Sequence, residues 1–308
     1  MATGSQNHTG NHLKPKRRIG AHLAAGAGLH TAAQRVFEMG GNCLQIFSGS
    51  PRIWRRKDIQ DLHFSEFFKT REKLDVKPIF THSLYLINLA SDKSELVQKS
   101  IQALKYDLEF DSAIKGSGII VHLGSHQGRG WDAVKVQVKD AIHEILSTTP
   151  ASSTFLIEPS AGQNGKLCSD LSELKWLLDE LQSTFGARIG WCLDTCHSFA
   201  AGYYLGKIIP QNQVAQKNDV EPKNLFSEMT QLSLIESLRC IHVNDSRDPY
   251  GSGRDRHHNL GDGEIGLADF KHFLANEKLK DIPLILEVPG LDKNGPDAEN
   301  MRRLISIL

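Results

Sequence analysis

Cysteine is scarce in this 308-residue chain, and its placement excludes two classes at once. The five cysteines, Cys43, Cys168, Cys192, Cys196 and Cys240, are odd in number and sit in or beside apolar runs. That excludes a disulfide framework and fits free buried thiols in a reducing compartment. Cys192 and Cys196 are spaced by four across a strand end with no second cysteine pair, so they read as structural rather than as half a zinc site. Apolar runs are short. None approaches the roughly 18 residues of a membrane span, and the N-terminal stretch lacks the apolar segment of a signal peptide, so a cytoplasmic protein without membrane contact is expected. A surplus of either charge is also missing, with Lys+Arg 36 against Asp+Glu 36. A general polyanion binder is thereby excluded, and any nucleic-acid contact must come from a local basic patch.

What the chain does have is alternation. Residues 1–18 are polar and end in KPKRR, which reads as a disordered tail in which His8 and His12 are bystanders; a targeting role for its basic end would make the protein nuclear. From Ile19, eight short apolar runs follow: Ile19–Leu23, Cys43–Phe47, Pro78–Thr81, Gly118–Val121, Thr154–Ile157, Ile189–Leu193, Arg239–Val243 and Pro283–Val288. Amphipathic stretches separate them, including Asp58–Leu74, Ser94–Ile114, Trp131–Leu146, Leu171–Phe185, Leu225–Leu238 and Leu267–Leu279, with Met301–Leu308 closing the chain. Strand and helix alternating eight times predict one α/β domain over 19–308, a single (β/α)8 TIM barrel, with an open doubly wound sheet as runner-up. The long connection Ala200–Asn224 has the length of a functional surface loop.

In such a barrel chemistry gathers at the C-terminal ends of the strands. Those positions hold His22, Ser48, His82, His122, Glu158, Asp194, His242 and Glu287. Carboxylates converging on one pocket repel unless protons or cations lie between them, so a metal cluster is expected. The glycine-rich stretch Cys240–Gly266 adds Asp245, Asp255, His257 and His258, and the turn after Asp194 adds His197. His82, His122, Glu158, Asp194, His197, His242, Asp255, His257 and Glu287 make nine candidates; four ligands saturate one zinc, so two or three ions sharing carboxylates are implied. His22, His126, Asn244 and His258 are read as supporting groups around the ligands.

The motifs IGAHLAAGAGL at Ile19, HSLYLINLA at His82, HLGSH at His122, EPSAGQ at Glu158, CLDTCHSFAAGY at Cys192, HVNDSRDPYGSGRDRHHNLGDGEIG at His242 and PLILEVP at Pro283 resemble those of endonuclease IV, the zinc-dependent apurinic/apyrimidinic endonuclease family of base excision repair. The resemblance runs from about Ile19 to Leu308. It implies three zinc ions, with manganese as an option at one site. His82, His122 and Glu158 would hold the first; Glu158, Asp194, His242 and Glu287 the second; His197, Asp255 and His257 the third. Glu158 would orient or deprotonate the attacking water. Arg52, Tyr85 and Arg256 would contact damaged double-stranded DNA, with Arg55, Arg56 and Lys57 as a local phosphate-facing cluster, and a monomer is the default state. A bacterial member would associate with the nucleoid. Leu123, Pro159 and Asn164 depart from the family's usual residues and bear on loop geometry. Two other readings stay open: a metal-dependent sugar isomerase or epimerase of a related barrel family, which would not need the third metal set, and a protein that binds abasic sites without cutting.

Overall fold

The computed structural model describes residues 17–206 and 222–308, so His8, His12 and most of the Ala200–Asn224 connection lie outside the described residues. Eight parallel strands close on themselves in chain order: β1 (Ile19–His22), β2 (Cys43–Phe47), β3 (Ile79–His82), β4 (Ile119–Val121), β5 (Phe155–Ile157), β6 (Ile189–Asp194), β7 (Leu238–His242) and β8 (Leu284–Leu286). The TIM barrel expected from the alternation is therefore present, and the open sheet is not. Parallel pairs need crossovers, and helices supply them. These are α1 (Leu29–Glu38), α2 (Ser65–Leu74), α3 (Ser94–Ala113), α4 (Trp131–Ser147), α5 (Leu171–Phe185), α6 (Thr195–Ala201), α7 (Leu225–Gln231) and α8 (Leu267–Leu274), with α9 (Ala298–Ile307) closing the chain.

Local sequence sets the helix limits. Asp170 caps α5 by accepting from the Ser172 amide at 2.9 Å, and the helix buries Leu171, Leu174, Leu177, Leu178 and Leu181 at helical spacing. Three expected helices are shorter than their amphipathic patterns. A 3-10 turn at Ile59–Asp61 precedes α2, Ser233 in the left-handed region follows the end of α7, and Asn276 caps a separate turn after α8. Helix α1, absent from the amphipathic stretches above, buries the small residues Ala32 and Ala33 with Val36. Arg17 and Arg18, read as the end of a loose tail, are docked instead: Arg17 donates to the carbonyls of Ile282 (3.2 Å) and Leu274 (3.1 Å), and Arg18 pairs with Asp75 at 3.2 Å.

Strand alternation stacks two layers inside the barrel. The upper layer, at the C-terminal rim, presents the polar residues of the mouth. Two residues earlier on each strand lies a buried layer of Cys43, Phe80, Ile120, Leu156, Cys192, Cys240 and Ile285. The eighth position is Gly20, where a Cβ would fall 1.9 Å from the Cys43 carbonyl oxygen, so only glycine lets β1 approach β2.

Outside the barrel wall, α3 buries two carboxyl groups. Asp111 accepts from Thr81 Oγ1 (2.9 Å) and Ser153 Oγ (2.8 Å), whereas Asp107 accepts from Ser48 Oγ at 2.5 Å and its Oδ2 has no partner. Burial pushes the Asp107 carboxyl up to about 6 despite the Ser48 hydroxyl. A carboxyl whose folded pKa exceeds its unfolded value of about 3.9 stabilises fully below that value and loses the contribution as pH rises through 6. Asp107→Asn is accordingly expected to raise stability on the order of 1–3 kcal/mol at pH 8 and to leave it nearly unchanged at pH 4, as read by urea unfolding at the two pH values.

Candidate metal centre at the barrel mouth

Six of the nine candidate ligands sit where a barrel strand gives way to its loop. His82, Asp194 and His242 end β3, β6 and β7, while His122, Glu158 and Glu287 follow the last residues of β4, β5 and β8. Asp194 also caps α6, accepting from the His197 amide at 2.9 Å, and this fixes His197 in the first helical turn beside it. His257 belongs to a two-residue antiparallel ribbon, Asp245–Ser246 with His257–His258, that folds the glycine-rich loop back over the mouth.

Glu158 stands at the centre. Its Oε2 lies 3.2 Å from both His82 Nε2 and His122 Nε2, and its Oε1 lies 3.0 Å from His242 Nδ1 and 3.5 Å from His197 Nδ1. Around it the donor atoms fall into three sets, each drawn together within 4.8 Å: His82, His122 and Glu158; Glu158, Asp194, His242 and Glu287; and His197, Asp255 and His257. In the last set His197 Nε2 is 3.1 Å from Asp255 Oδ1, and His257 Nε2 is 3.5 Å from both Asp255 Oδ1 and Asp194 Oδ2. A cavity of about 670 Å³ opens above them, rimmed by Phe47, Tyr85 and Val288.

Main-chain carbonyls aim the rings. The Nδ1 atoms of His82, His122, His197 and His257 face the oxygens of Ser83 (2.8 Å), Glu158 (3.3 Å), Pro159 (3.2 Å) and Glu287 (3.2 Å). A carbonyl only accepts, so Nδ1 carries a proton and Nε2 is the ring atom turned into the mouth. His242 is turned the other way, with Nε2 against Gln45 Oε1 at 2.7 Å and Nδ1 inward. Gln45 also donates to Glu287 Oε1 at 2.6 Å, and His22 Nδ1 meets the same oxygen at 2.7 Å. Asn244 donates to Asp194 Oδ2 (2.7 Å) and accepts from the Glu287 amide (2.8 Å), tying two ligands together. Asn244→Ala is expected to weaken divalent-cation affinity about 10- to 100-fold, measured by competition with a chelator, with the fold retained.

The electrostatics fit a cationic occupant. Burial alone would push the Glu158 carboxyl up, yet His122, His242 and His82 pull it well below the ordinary carboxylate range; Glu287 is drawn down the same way by His242 and His22. Burial likewise opposes protonation of His197, but Asp194 and Asp255 raise it to about 10, whereas burial leads in lowering His122 to about 4. The mouth thus gathers positive charge to balance its carboxylates, and cations entering such a site displace imidazole protons. His257 Nε2 is buried without a hydrogen-bond partner, an atom that a cation would satisfy.

Not every sequence expectation points into the mouth. Ser48 turns away to Asp107. Asp245 clamps the glycine-rich loop, accepting from the amides of Ser246, Gly261, Gly263 and Ile265, and a Cβ on Gly263 would fall 2.5 Å from its Oδ1. His258 accepts from the Asn259 amide, and His126 accepts from the amides of Gly128 and Gly130, so neither supports a ligand. The three departures leave the frame intact. Leu123 is buried and receives the Leu89 amide, Pro159 supplies the carbonyl that orients His197, and Asn164 in the left-handed region accepts from Ser125 Oγ. Gln45, fully buried between His242 and Glu287, went unforeseen. Its signal was a lone amide two residues before the end of an otherwise apolar strand.

At the rim, Arg52 is exposed and its loop is closed by Arg56, which donates to the carbonyls of Ser50 (3.1 Å) and Ile53 (2.9 Å) rather than facing outward. Tyr85 is 60% exposed, and its amide donates to Pro51 at 3.0 Å, joining the two rim loops. Arg256 grips Asp248 through two of its nitrogens.

A barrel whose mouth carries three adjoining donor sets belongs to a recognised class: residues 33–308 match the family model of the xylose isomerase-like TIM barrel. Within that class the chain belongs to the endonuclease IV family. It is 32% identical to a probable endonuclease 4 of Halothermothrix orenii over 92% of this chain and 97% of that protein. The crystal structure of endonuclease IV from Thermus thermophilus superimposes with a TM-score of 0.76 at 29% identity, covering 94% of this chain and 98% of that one. The 3-keto-D-glucoside 4-epimerase of E. coli, 14% identical with a TM-score of 0.66 over 94% of this chain and all of that one, shares the fold alone.

Proposed function

We propose that this chain is a zinc-dependent endonuclease of base excision repair, hydrolysing the phosphodiester 5′ to an abasic site in duplex DNA and leaving a 3′-hydroxyl and a 5′-deoxyribose phosphate. The observation that carries the reading is the third donor set, His197, Asp255 and His257, beside the two that share Glu158. Three zinc ions, with manganese as an option at one site, suit these nine imidazole and carboxylate donors. When bound, such ions lower the pKa of water and offset negative charge on a phosphate. The protein's own part is orientation. Glu158, in reach of four imidazoles, holds the attacking water and accepts its proton. Gln45 and Asn244 keep His242, Glu287 and Asp194 in place. Removal of blocking groups from 3′ ends by the same residues is part of the proposal.

DNA reading falls to the rim. Arg52 and Tyr85, on loops tied together by the Pro51 carbonyl, probe the duplex, and Arg256, steadied by Asp248, turns its remaining N–H groups to a phosphate. Arg52→Ala is expected to weaken binding to abasic duplex at least about tenfold while leaving metal content unchanged. Fluorescence anisotropy together with elemental analysis checks both halves, and zinc loss in that variant would assign Arg52 to the frame of the site. The protein acts as a monomer in the cytoplasm, and no helix among the described residues is long and apolar enough to cross a membrane.

The test is incubation of the zinc-loaded protein with a duplex carrying one abasic analogue, followed by identification of the new ends. A 3′-hydroxyl on the 5′ side of the lesion supports the reading. Binding without cutting would return the abasic-site binder, and neither binding nor cutting would return the sugar isomerase or epimerase.

A further inference from the structure

The barrel interior holds a second donor cluster, one layer below the carboxylates. Cys192 lies two residues before Asp194 on β6, and Cys240 lies two residues before His242 on β7. The two strands are parallel neighbours, and Cys192 and Cys240 are direct register partners across them. Alternation turns both side chains inward, so each thiol sits beneath a residue of the mouth. Both sulfurs and a ring nitrogen of His242 lie within 4.8 Å of one another, and all three residues are fully buried. The rest of the layer offers no competing donor: Phe80, Ile120, Leu156 and Ile285 are apolar, and Cys43 donates its S–H to the Leu284 carbonyl at 3.5 Å.

Donor chemistry separates this cluster from the one above it. The mouth presents carboxylate and imidazole, which favour zinc and harder ions, with the single thiol of Cys196 beside Asp194 and His257 and its S–H donated to the Arg256 carbonyl at 3.7 Å, whereas two thiolates with one imidazole favour soft cations. We propose that Cys192, Cys240 and His242 form a binding site for a soft, thiophilic cation of the cadmium or cuprous type, and that filling it inactivates the protein. The two sites share a ring. His242 Nδ1 lies 3.0 Å from Glu158 Oε1 and 3.2 Å from Glu287 Oε2, so an imidazole drawn down to a cation on the thiols is withdrawn from the carboxylate set. Binding breaks two S–H bonds, forms two sulfur–metal bonds, adds one nitrogen–metal bond from the His242 lone pair that otherwise serves the carboxylate set, and releases two protons to solvent, with no change of oxidation state. The claim of inactivation rests on the endonuclease reading; the claim of a thiolate site does not.

Cadmium titration of the zinc-loaded full chain tests both, reading the near-ultraviolet thiolate-to-cadmium charge-transfer absorption alongside strand incision. The expected result is a band that saturates at one cadmium per chain, with incision falling in step. Cys240→Ala and Cys192→Ser should each abolish the band and keep incision at cadmium concentrations that silence the parent, whereas Cys43→Ala should behave as the parent does. Two independent thiol variants, each checked for retained zinc, keep a misfolded one from deciding the matter. A band that survives in both variants overturns the site, as does loss of incision without any band, because cadmium would then have replaced ions among the carboxylates. Should the parent show no incision at all, the endonuclease reading fails while the band still decides the thiol site.

Discussion

Replacing Glu158 with Gln is expected to lower incision of an abasic duplex by about a thousandfold or more, with the fold retained. The size of the effect follows from position. Glu158 is 1% exposed, belongs to two of the three donor sets and faces four imidazole nitrogens within 3.5 Å. An amide keeps the shape but loses the charge and the capacity to take a proton from water, so both roles fall together. Single-turnover incision measures the loss, and circular dichroism with urea unfolding confirms the fold. Activity within tenfold of the parent would remove Glu158 from the centre of the account.

The second large effect concerns stability. Trp191 on β6 is fully buried and its Nε1 donates to the Leu234 carbonyl at 2.8 Å, joining the strand that carries Asp194 to the segment that follows α7. Trp191→Ala removes the indole and one of the two donors to that carbonyl, which keeps the Ser237 amide at 3.2 Å, at an expected cost of about 3–5 kcal/mol that comes mainly from the space left in the core. The urea midpoint should fall with an unchanged denaturant slope. A loss below about 1 kcal/mol would mean that the neighbouring side chains collapse into the space.

Much of the centre was legible in the sequence because strand ends in a parallel barrel converge by construction. His82, His122, Glu158, Asp194, His242 and Glu287 each lay at or just past the end of an apolar run, and closure of the barrel brought their donor atoms together. His197 was legible for a local reason, since an Asp that ends a strand and caps a helix fixes the residue three positions on. Where the reading failed, the direction of a side chain decided. Ser48 occupied a strand-end position, but the strand's inward residue was Gln45, and the chain had already turned outward at Ser48 toward α3. His258 and Asp245 shared the glycine-rich stretch with His257, yet the ribbon alternates its faces, so His257 enters the mouth and its neighbours hold the loop. Arg17, Arg18 and Arg56 looked like free basic residues, and nothing local predicts the carbonyls and the carboxylate that engage them. The thiol pair was hidden for a similar reason. Cys192 and Cys240 are 48 positions apart and meet only through strand register.

The most direct test of the account joins metal content to cutting. The protein would be stripped with a chelator, assayed on a duplex carrying one abasic analogue beside an undamaged duplex, then titrated with zinc while bound metal and product ends are followed. The account predicts no incision by the stripped protein and recovery as three zinc ions bind per chain. The recovered cut should lie on the 5′ side of the lesion, expose a 3′-hydroxyl and spare the undamaged duplex. Full incision by the stripped protein, or a zinc-replete protein that cuts neither duplex, would contradict it.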